Sequence, residues 1–204
     1  MLKKTFIELL QNYAAGDKLA GELWNEIENS YSAKSRHYHT LNHLDNLLQQ
    51  LTDVKADIKH WDTILFTFYY HDIVYNAAKS DNEEKSAELA VKRMNLVSAS
   101  PEMIERCKNQ ILATKQHVEN TDPDTNYFLD ADLSILGQPW EVYTDYYKNV
   151  RKEYSIYPAL IYNPGRKKVL RHFLTMDRIF KTDHFFRKFD QQARQNLQKE
   201  IDLL

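Results

Sequence analysis

The stretch Ile64-Leu65-Phe66-Thr67-Phe68-Tyr69-Tyr70-His71-Asp72 joins a strongly apolar run to an imidazole and a carboxylate. Apolar side chains at helical spacing lead into it and form one stripe: Val54, Ile58, Trp61, Leu65 and Phe68. This spacing predicts a single helix, capped by Thr52 or Asp53, that runs as far as the His71–Asp72 pair.

His71 and Asp72 stand three and four residues after Phe68, so the spacing predicts that they continue the buried face of that helix. Strongly solvated groups stay ionised in a protein interior only when they are paired, hydrogen-bonded or bound to a metal. The end of this helix is therefore a candidate functional centre.

Composition limits the fold and the class of function. The chain has 204 residues, which predicts one domain over residues 1–204, and its four glycines and five prolines favour an all-α fold over a turn-rich β fold. The formal net charge of −2 argues against a dedicated nucleic-acid-binding protein. Cys107 is the only cysteine, which fits a reducing compartment, and no segment is long and apolar enough to span a bilayer. We expect a cytoplasmic protein with no membrane partner.

Helical spacing continues along the rest of the chain, and no alternating strand pattern interrupts it. Several local signals are expected to bound the later helices: a Ser80-x-x-Glu83 capping box, a Ser100-Pro101 start, a Gly137 stop after Tyr127–Leu136, an Asn163-Pro164-Gly165 break and an Asp183 cap. These signals support the all-α prediction.

Three segments place ionisable side chains on otherwise apolar helical faces, and together they suggest one site. They are His39 with His43, His71 with Asp72, and Asp130 with Asp132. Imidazoles and carboxylates brought together by helix packing form a mixed nitrogen and oxygen site that suits Mn, Fe, Co, Zn or Mg. The alternative is a set of hydrogen-bonded core histidines and helix caps.

The sequence around these residues resembles the HD superfamily of metal-dependent phosphohydrolases. The segments Tyr38-His39-Thr40-Leu41-Asn42-His43, His71-Asp72 and Ala131-Asp132-Leu133-Ser134 follow its ordered H…HD…D signature and are similar to segments of the cyclic-nucleotide phosphodiesterases. Three further segments resemble those of small bacterial proteins described as predicted HD phosphohydrolases: Arg36-His37-Tyr38-His39, Asp81-Asn82-Glu83-Glu84-Lys85-Ser86-Ala87 and Leu129-Asp130-Ala131-Asp132. The resemblance spans roughly residues 30–180.

This resemblance implies a single-domain HD-type helical bundle with a core at about 30–180 and packing helices at both ends. It implies that His43, His71, Asp72 and Asp132 bind a divalent metal, which would be Mn, Mg, Co, Ni, Fe or Zn. His39 takes the place of the histidine that protonates the leaving oxygen. Asp130 is assigned to orienting a ligand histidine. Because the chain lacks the substrate-pocket region of the phosphodiesterases, including the glutamine that clamps the base, cyclic nucleotides are not the expected substrate.

Four further residues are candidates for substrate binding, and three of them have a structural alternative. Glu84 could reach the site from the next helix or could simply belong to a solvated capping pair. His117 could bind a second metal or the substrate, or be a satisfied, partly buried histidine. Arg36 and Arg166 could bind a phosphate through the guanidinium fork, although a solvated helix start also explains the Arg166-Lys167-Lys168 run.

The expected activity is metal-dependent hydrolysis of a small phosphorylated metabolite, with a nucleotide as the expected substrate. Metal-activated water would attack the phosphorus, and His39 would protonate the leaving group. Two alternatives stay open: a di-iron HD-type oxygenase, which needs further histidine ligands, and a catalytically silent sensor that binds metal and nucleotide. The sequence leaves the oligomeric state open.

Overall fold

The computed structural model describes residues 1–13 and 15–204, and these residues form α-helices and short 3-10 helices with no strand. The all-α prediction is confirmed. The α-helices are α1 (Leu2–Gln11), α2 (Asp17–Tyr31), α3 (Leu41–Asp53), α4 (Trp61–Tyr70), α5 (Asn82–Leu96), α6 (Pro101–Ala113), α7 (Pro123–Leu133), α8 (Trp140–Glu153), α9 (Ala159–Thr175) and α10 (Asp183–Leu203). The 3-10 helices are Lys55–Asp57 and Ser134–Gly137.

Contacts group the chain into two units, Met1–Phe128 and Leu129–Leu204. The boundary falls inside α7, so a single helix belongs to both units. The single domain expected over residues 1–204 stays a prediction.

Helix α4 lies at the centre of the first unit, where it contacts α1, α3, α5 and α6. Every residue from Thr63 to Tyr70 is buried. A helix that is apolar on all sides must be surrounded by other elements, and this is more burial than the single stripe predicted from the sequence. The surrounding helices therefore bury the end of α4, and with it His71.

Helix α4 begins at Trp61, so the prediction of one helix starting after Thr52 or Asp53 is wrong. The backbone N–H groups of Lys59 and His60 instead donate to the two carboxylate oxygens of buried Asp124, at 2.9 and 2.7 Å. An N–H bound to a carboxylate cannot also donate to the carbonyl four residues back, so the helix starts only after this segment.

The other predicted helix starts have mixed outcomes. Helix α6 begins as expected, with the Ser100 hydroxyl accepting from the N–H of Met103 at 3.3 Å. The Ser80–Glu83 capping box is wrong, because Asp81 is the N-cap of α5 and no side chain caps that helix end. The last helix has Thr182 at its N-cap, and Asp183 is its first helical residue.

The predicted break at Asn163-Pro164-Gly165 is also wrong, because all three residues lie inside α9. A proline in a helix leaves the carbonyl four residues earlier, here that of Leu160, without its usual partner. Pro164 is exposed and Leu160 is 88% exposed, so water can bind that carbonyl. Solvent exposure is the reason that the helix continues.

The second unit contains a buried polar cluster that joins α8, α9 and α10. The carboxylate of Glu200 accepts two hydrogen bonds from Arg166, at 2.7 and 3.0 Å, and a short one from the Tyr143 hydroxyl. Burial and the neighbouring negative charge of Glu200 raise the pKa of Tyr143, which keeps it a donor. The guanidinium of Arg166 is therefore used in packing the unit together.

Gly137 ends the 3-10 helix that contacts α10. A Cβ atom at this position would meet the Cβ of Phe189 and would lie 2.7 Å from its carbonyl oxygen and 2.8 Å from its Cα. The helical segment ends at Gly137 as predicted, although no described glycine has a positive φ, so no left-handed turn is involved. Gly137 is needed because two backbones approach each other closely.

We expect Gly137→Ala to lower the free energy of unfolding by about 1–3 kcal/mol, because backbone atoms of α10 would have to move. Urea unfolding followed by circular dichroism measures the change. Gly21→Ala is the matched control, since open space surrounds that position in the middle of α2, and we expect it to stabilise the protein by about 0.5–1 kcal/mol. Equal stability of Gly137→Ala and wild type would contradict this packing.

Candidate metal centre

The centre of the candidate site is assembled from the start of α3 and the end of α4, two helices that contact each other. His43 lies in the first turn of α3 and is 5% exposed. His71 follows the last residue of α4, with its N–H donating to the Thr67 carbonyl at 2.8 Å, and is 1% exposed. Two buried imidazoles therefore face each other inside the first unit.

The orientation of the His71 ring is set by its own helix. Its Nδ1 lies 2.9 Å from the carbonyl oxygen of Phe68. A carbonyl only accepts hydrogen bonds, so Nδ1 carries a proton, and Nε2 presents a lone pair when the ring is neutral or a second N–H when the ring is protonated. That Nε2 lies 3.3 Å from the Nε2 of His43 and 3.4 Å from Oδ2 of Asp72.

This geometry fits a bound cation. A nitrogen lone pair and a carboxylate oxygen at 3.4 Å repel each other unless a proton or a positive ion lies near both. Metal-binding histidines commonly donate their second N–H to a backbone carbonyl, as His71 does to Phe68. The donor set of imidazole nitrogens and carboxylate oxygens suits a first-row divalent metal.

Asp72 is held as an anion beside these rings. Burial alone raises the pKa of its carboxyl, but positive charge on the imidazole of His71 and a hydrogen bond from that ring, followed by positive charge on His39 and His43, outweigh this effect, so the pKa lies well below its usual range. The Asp72 side chain is 19% exposed, so a molecule in solvent can reach its carboxylate.

Asp132, in the last turn of α7, completes a group with the two buried histidines. His43, His71 and Asp132 each offer one ligand atom, and these atoms all lie within 4.8 Å of one another. Among residues 1–13 and 15–204 this is the group that could hold a metal ion, and it contains three of the four ligands predicted from the sequence. Asp72, the fourth, adjoins it through His71.

His39 lies at the edge of this centre. Its Nε2 is 3.7 Å from Oδ2 of Asp72, and its side chain is 19% exposed. The ring packs against Tyr75, with centroids 4.2 Å apart, and against Tyr38 at 4.9 Å. The imidazole is thus held beside an anion with a face open to solvent, as a proton donor to a bound molecule requires.

Arg36 is buried, and its contacts differ from those of a phosphate-binding residue. Its guanidinium donates to the carbonyl of Asp72 at 2.7 Å, to that of Ile73 at 2.8 Å and to that of His39 at 3.2 Å. It also lies over the ring of Tyr31, 4.8 Å from the centroid. One cation thus ties together the two segments that carry His39 and Asp72, and we assign Arg36 to positioning them.

Asp130 is fully buried, and both of its oxygens bind the segment before α10. Oδ1 accepts from the N–H of Lys181 at 2.8 Å, and Oδ2 accepts from the N–H and the hydroxyl of Thr182, each at 2.7 Å. Burial raises the pKa of Asp130, although these hydrogen bonds oppose the shift. The contacts give Asp130 a role in fixing the start of α10, in place of the predicted one of orienting a ligand histidine.

The remaining substrate-binding candidates lie in other settings. Glu84, in the first turn of α5, forms an ion pair with Lys115. His117 follows α6 with a φ of 52°, a left-handed conformation that side chains other than glycine adopt infrequently, and its N–H donates to the Ala113 carbonyl at 3.1 Å. Arg166 is paired with Glu200. Their predicted contacts with a substrate stay predictions.

Two residues that support the site were not singled out from the sequence. The hydroxyl of buried Ser86 accepts from the N–H of Val74 at 3.1 Å and donates to its carbonyl at 3.3 Å, which fixes the loop after Asp72 to α5. Tyr75 supports the ring of His39. Ser86 lies in a segment, residues 81–87, that resembles the family, and this resemblance could have pointed to it. Nothing in the local sequence pattern marks Tyr75.

Comparisons with protein-family models, with curated proteins and with solved structures found no match. The resemblance to the HD superfamily therefore rests on the motifs alone. None of the helices in the described part of the chain is long and apolar enough to cross a membrane.

We expect Arg36→Lys to weaken metal binding about tenfold and to lower the free energy of unfolding by about 1–3 kcal/mol. A lysine ammonium keeps the charge but cannot reproduce the planar fork that reaches three carbonyls. Isothermal titration with Mn²⁺ and urea unfolding measure the two effects.

Arg194→Lys is the matched control, because Arg194 also donates to backbone carbonyls, those of Leu174, Met176 and Asp177. We expect it to lower stability and leave the Mn²⁺ affinity unchanged. If both variants change the Mn²⁺ affinity equally, Arg36 has no special role in positioning the centre.

Proposed function

We propose that this chain is a metal-dependent phosphohydrolase that acts on a small phosphorylated metabolite, with nucleotides as the expected class of substrate. The observation that carries the proposal is the group formed by His43, His71 and Asp132, with the carboxylate of Asp72 beside it. The motif resemblance to HD phosphohydrolases supplies the reaction class and the nucleotide. The single, buried cysteine agrees with action in a reducing cytoplasm.

His43, His71, Asp72 and Asp132 are the residues that would hold the ion. A divalent ion bound there would draw charge from a phosphoryl oxygen and lower the pKa of a coordinated water from about 15.7 toward roughly 7. The protein contributes the fixed orientation of these ligands: the Phe68 carbonyl sets the ring of His71, and Arg36 sets the backbone of Asp72. The partial exposure of Asp72 leaves a side from which a substrate can approach.

His39 is suited to donate a proton to the leaving oxygen. Its Nε2 lies 3.7 Å from Oδ2 of Asp72, and a nearby carboxylate stabilises the positive charge of a protonated imidazole. The packing of its ring against Tyr75 limits rotation, so the proton stays at the edge of the centre. Donation of this proton neutralises the alkoxide as the bond between phosphorus and oxygen breaks.

We expect His71→Ala to weaken Mn²⁺ binding by more than about 100-fold and to abolish hydrolysis, because it removes a buried ligand and leaves the Asp72 carboxylate unbalanced. Metal content by mass spectrometry and a screen of nucleotides and phosphoesters with Mn, Co, Mg, Ni and Fe measure the two effects. His184→Ala, at an exposed histidine in the first turn of α10, is the matched control and should retain both properties.

The outcome of this screen separates the rival functions. Hydrolysis that does not respond to His71→Ala would overturn the proposal. Two irons per chain with a mixed-valent spectrum would favour an oxygenase, for which His117 would have to supply a ligand, although it is not in the metal-binding group found among the described residues. Metal binding without turnover on any phosphoester would favour a sensor.

We expect His39→Gln to lower kcat by roughly 10²–10⁴ on a substrate with an alkoxide leaving group while keeping the metal bound. On a p-nitrophenyl phosphoester the loss should be much smaller, because p-nitrophenolate departs without a proton. Steady-state kinetics on the two substrates, with metal content measured in parallel, give the comparison. An equal loss on both substrates would mean that His39 does not protonate the leaving group.

A further inference from the structure

The connection between α8 and α9 exposes apolar side chains that the proposed hydrolase activity does not use. We call residues 154–161 the α8–α9 tip. Within it, Ile156 is 70% exposed, Leu160 88% and Ile161 59%. Large aliphatic side chains exposed to this degree and adjacent in the chain indicate a surface that is covered in use.

Along the chain, the charges that follow this tip have a single sign. No Asp or Glu occurs between Tyr154 and Met176, and Glu153, the acid just before the tip, is buried. The basic residues of this stretch are Arg166, Lys167, Lys168 and Arg171. Arg166 is paired with Glu200, which leaves the other three as the cations of α9. A chain of net charge −2 thus concentrates positive charge next to exposed apolar side chains.

The apolar and basic residues share one face of α9. Leu160, Pro164, Lys168 and Arg171 follow one another at intervals of three or four residues, and all four are exposed. The opposite face, with Tyr162 and Leu170, is buried. On α8, exposed Lys148 and Lys152 precede Ile156 at the same four-residue interval. Both helices therefore place cations behind the apolar tip.

The tip is held in a defined conformation. The guanidinium of Arg151 donates to the carbonyls of Tyr154 and Tyr157, each at 2.9 Å, and lies 4.5 Å from the centroid of the Tyr162 ring. Two carbonyls of the connection are thus satisfied within the protein. This arrangement reduces the cost of ordering the backbone when Ile156, Leu160 and Ile161 are buried.

We propose that, in contrast to the sequence-based expectation of no membrane partner, the α8–α9 tip binds the surface of a membrane that contains anionic lipids. Interfacial helices bury apolar side chains roughly 5–10 Å into the headgroup boundary while basic residues contact the headgroups. At about 1.5 Å per residue, Lys168 lies about 12 Å along α9 from Leu160, which places it at headgroup depth when the tip is inserted. Lys152 is closer to the tip on α8.

The observations favour a lipid surface over a second copy of this chain. Two copies joined through this tip would bring like-charged Lys152, Lys168 and Arg171 side chains together, whereas phosphate headgroups would pair with them. The proposed surface is also separate from the candidate metal ligands in sequence, so its test does not depend on the proposed hydrolase activity.

Flotation of the full chain with phospholipid vesicles tests the proposal. We expect binding to vesicles of phosphatidylcholine with about one-third phosphatidylserine, little binding to phosphatidylcholine alone, and weaker binding as salt rises. The triple variant Ile156→Ser, Leu160→Ser, Ile161→Ser should bind at least tenfold less, and Lys168→Gln with Arg171→Gln roughly fivefold less per cation removed. Because these side chains are exposed, circular dichroism should report a folded protein in every case.

Matched controls change the same residue types elsewhere. Leu96→Ser removes an aliphatic side chain that is 54% exposed, and Lys18→Gln removes an exposed cation of α2. Both should bind vesicles as wild type does. Failure of wild type to float with the anionic vesicles, or equal loss in control and tip variants, would overturn the proposal. So would a dimer in light scattering that the triple variant converts to monomer.

A labelled cysteine gives an independent measurement. Cys107 is the only cysteine, and burial raises the pKa of its thiol to about 12, so it reacts poorly with labels. A polarity-sensitive dye on Leu160→Cys should shift to shorter emission wavelengths with anionic vesicles, and the same dye on Leu96→Cys should not. Identical spectra at the two positions would contradict insertion of the tip.

Discussion

One hydrogen bond, from Nδ1 of His71 to the carbonyl of Phe68, determines the chemistry available at the end of α4. It keeps a proton on one ring nitrogen and directs the other nitrogen toward His43 and Asp72. An imidazole free to rotate would relieve the contact with the carboxylate by turning away. Because the ring is held by its own helix, the contact persists, and a proton or a positive ion near both groups satisfies it.

The precision of that contact depends on packing around α4. The helix is buried on every side, so the residues that follow it cannot shift with the surface of the protein. Arg36 and Ser86 then bind the backbone of Asp72 and of the two residues after it, from two other parts of the first unit. Neither residue belongs to the set of metal ligands, yet both determine where the Asp72 carboxylate lies.

The same chain places charge in two contrasting ways. At the candidate metal centre, carboxylates and imidazoles are brought into the interior, where each charge needs a partner. In the second unit, the buried charges of Arg166 and Glu200 pair with each other. Lys168 and Arg171 instead stay exposed to solvent on α9, beyond the α8–α9 tip. A net charge close to zero therefore describes neither region.

Local spacing in the sequence determined the helical class, most of the helices and which side chains share a face. The motif resemblance grouped His43, His71 and Asp132 as candidate ligands, and in the structure their ligand atoms lie close enough together to hold an ion. The start of α4 was not predictable in this way, since it depends on hydrogen bonds to Asp124, more than sixty residues away in the chain. Nor were the roles of Arg36 and Asp130, whose partners are backbone groups supplied by other segments.

The proline signal was misleading for a related reason, since Pro164 is tolerated in an exposed part of α9. Gly137 does end its helical segment, but it is required there because α10 passes close by. The sequence by itself thus determined which residues could meet, through periodicity that acts over a few turns of helix. Only the tertiary structure decided which of them do meet, because burial and hydrogen-bond partners come from residues that are distant along the chain.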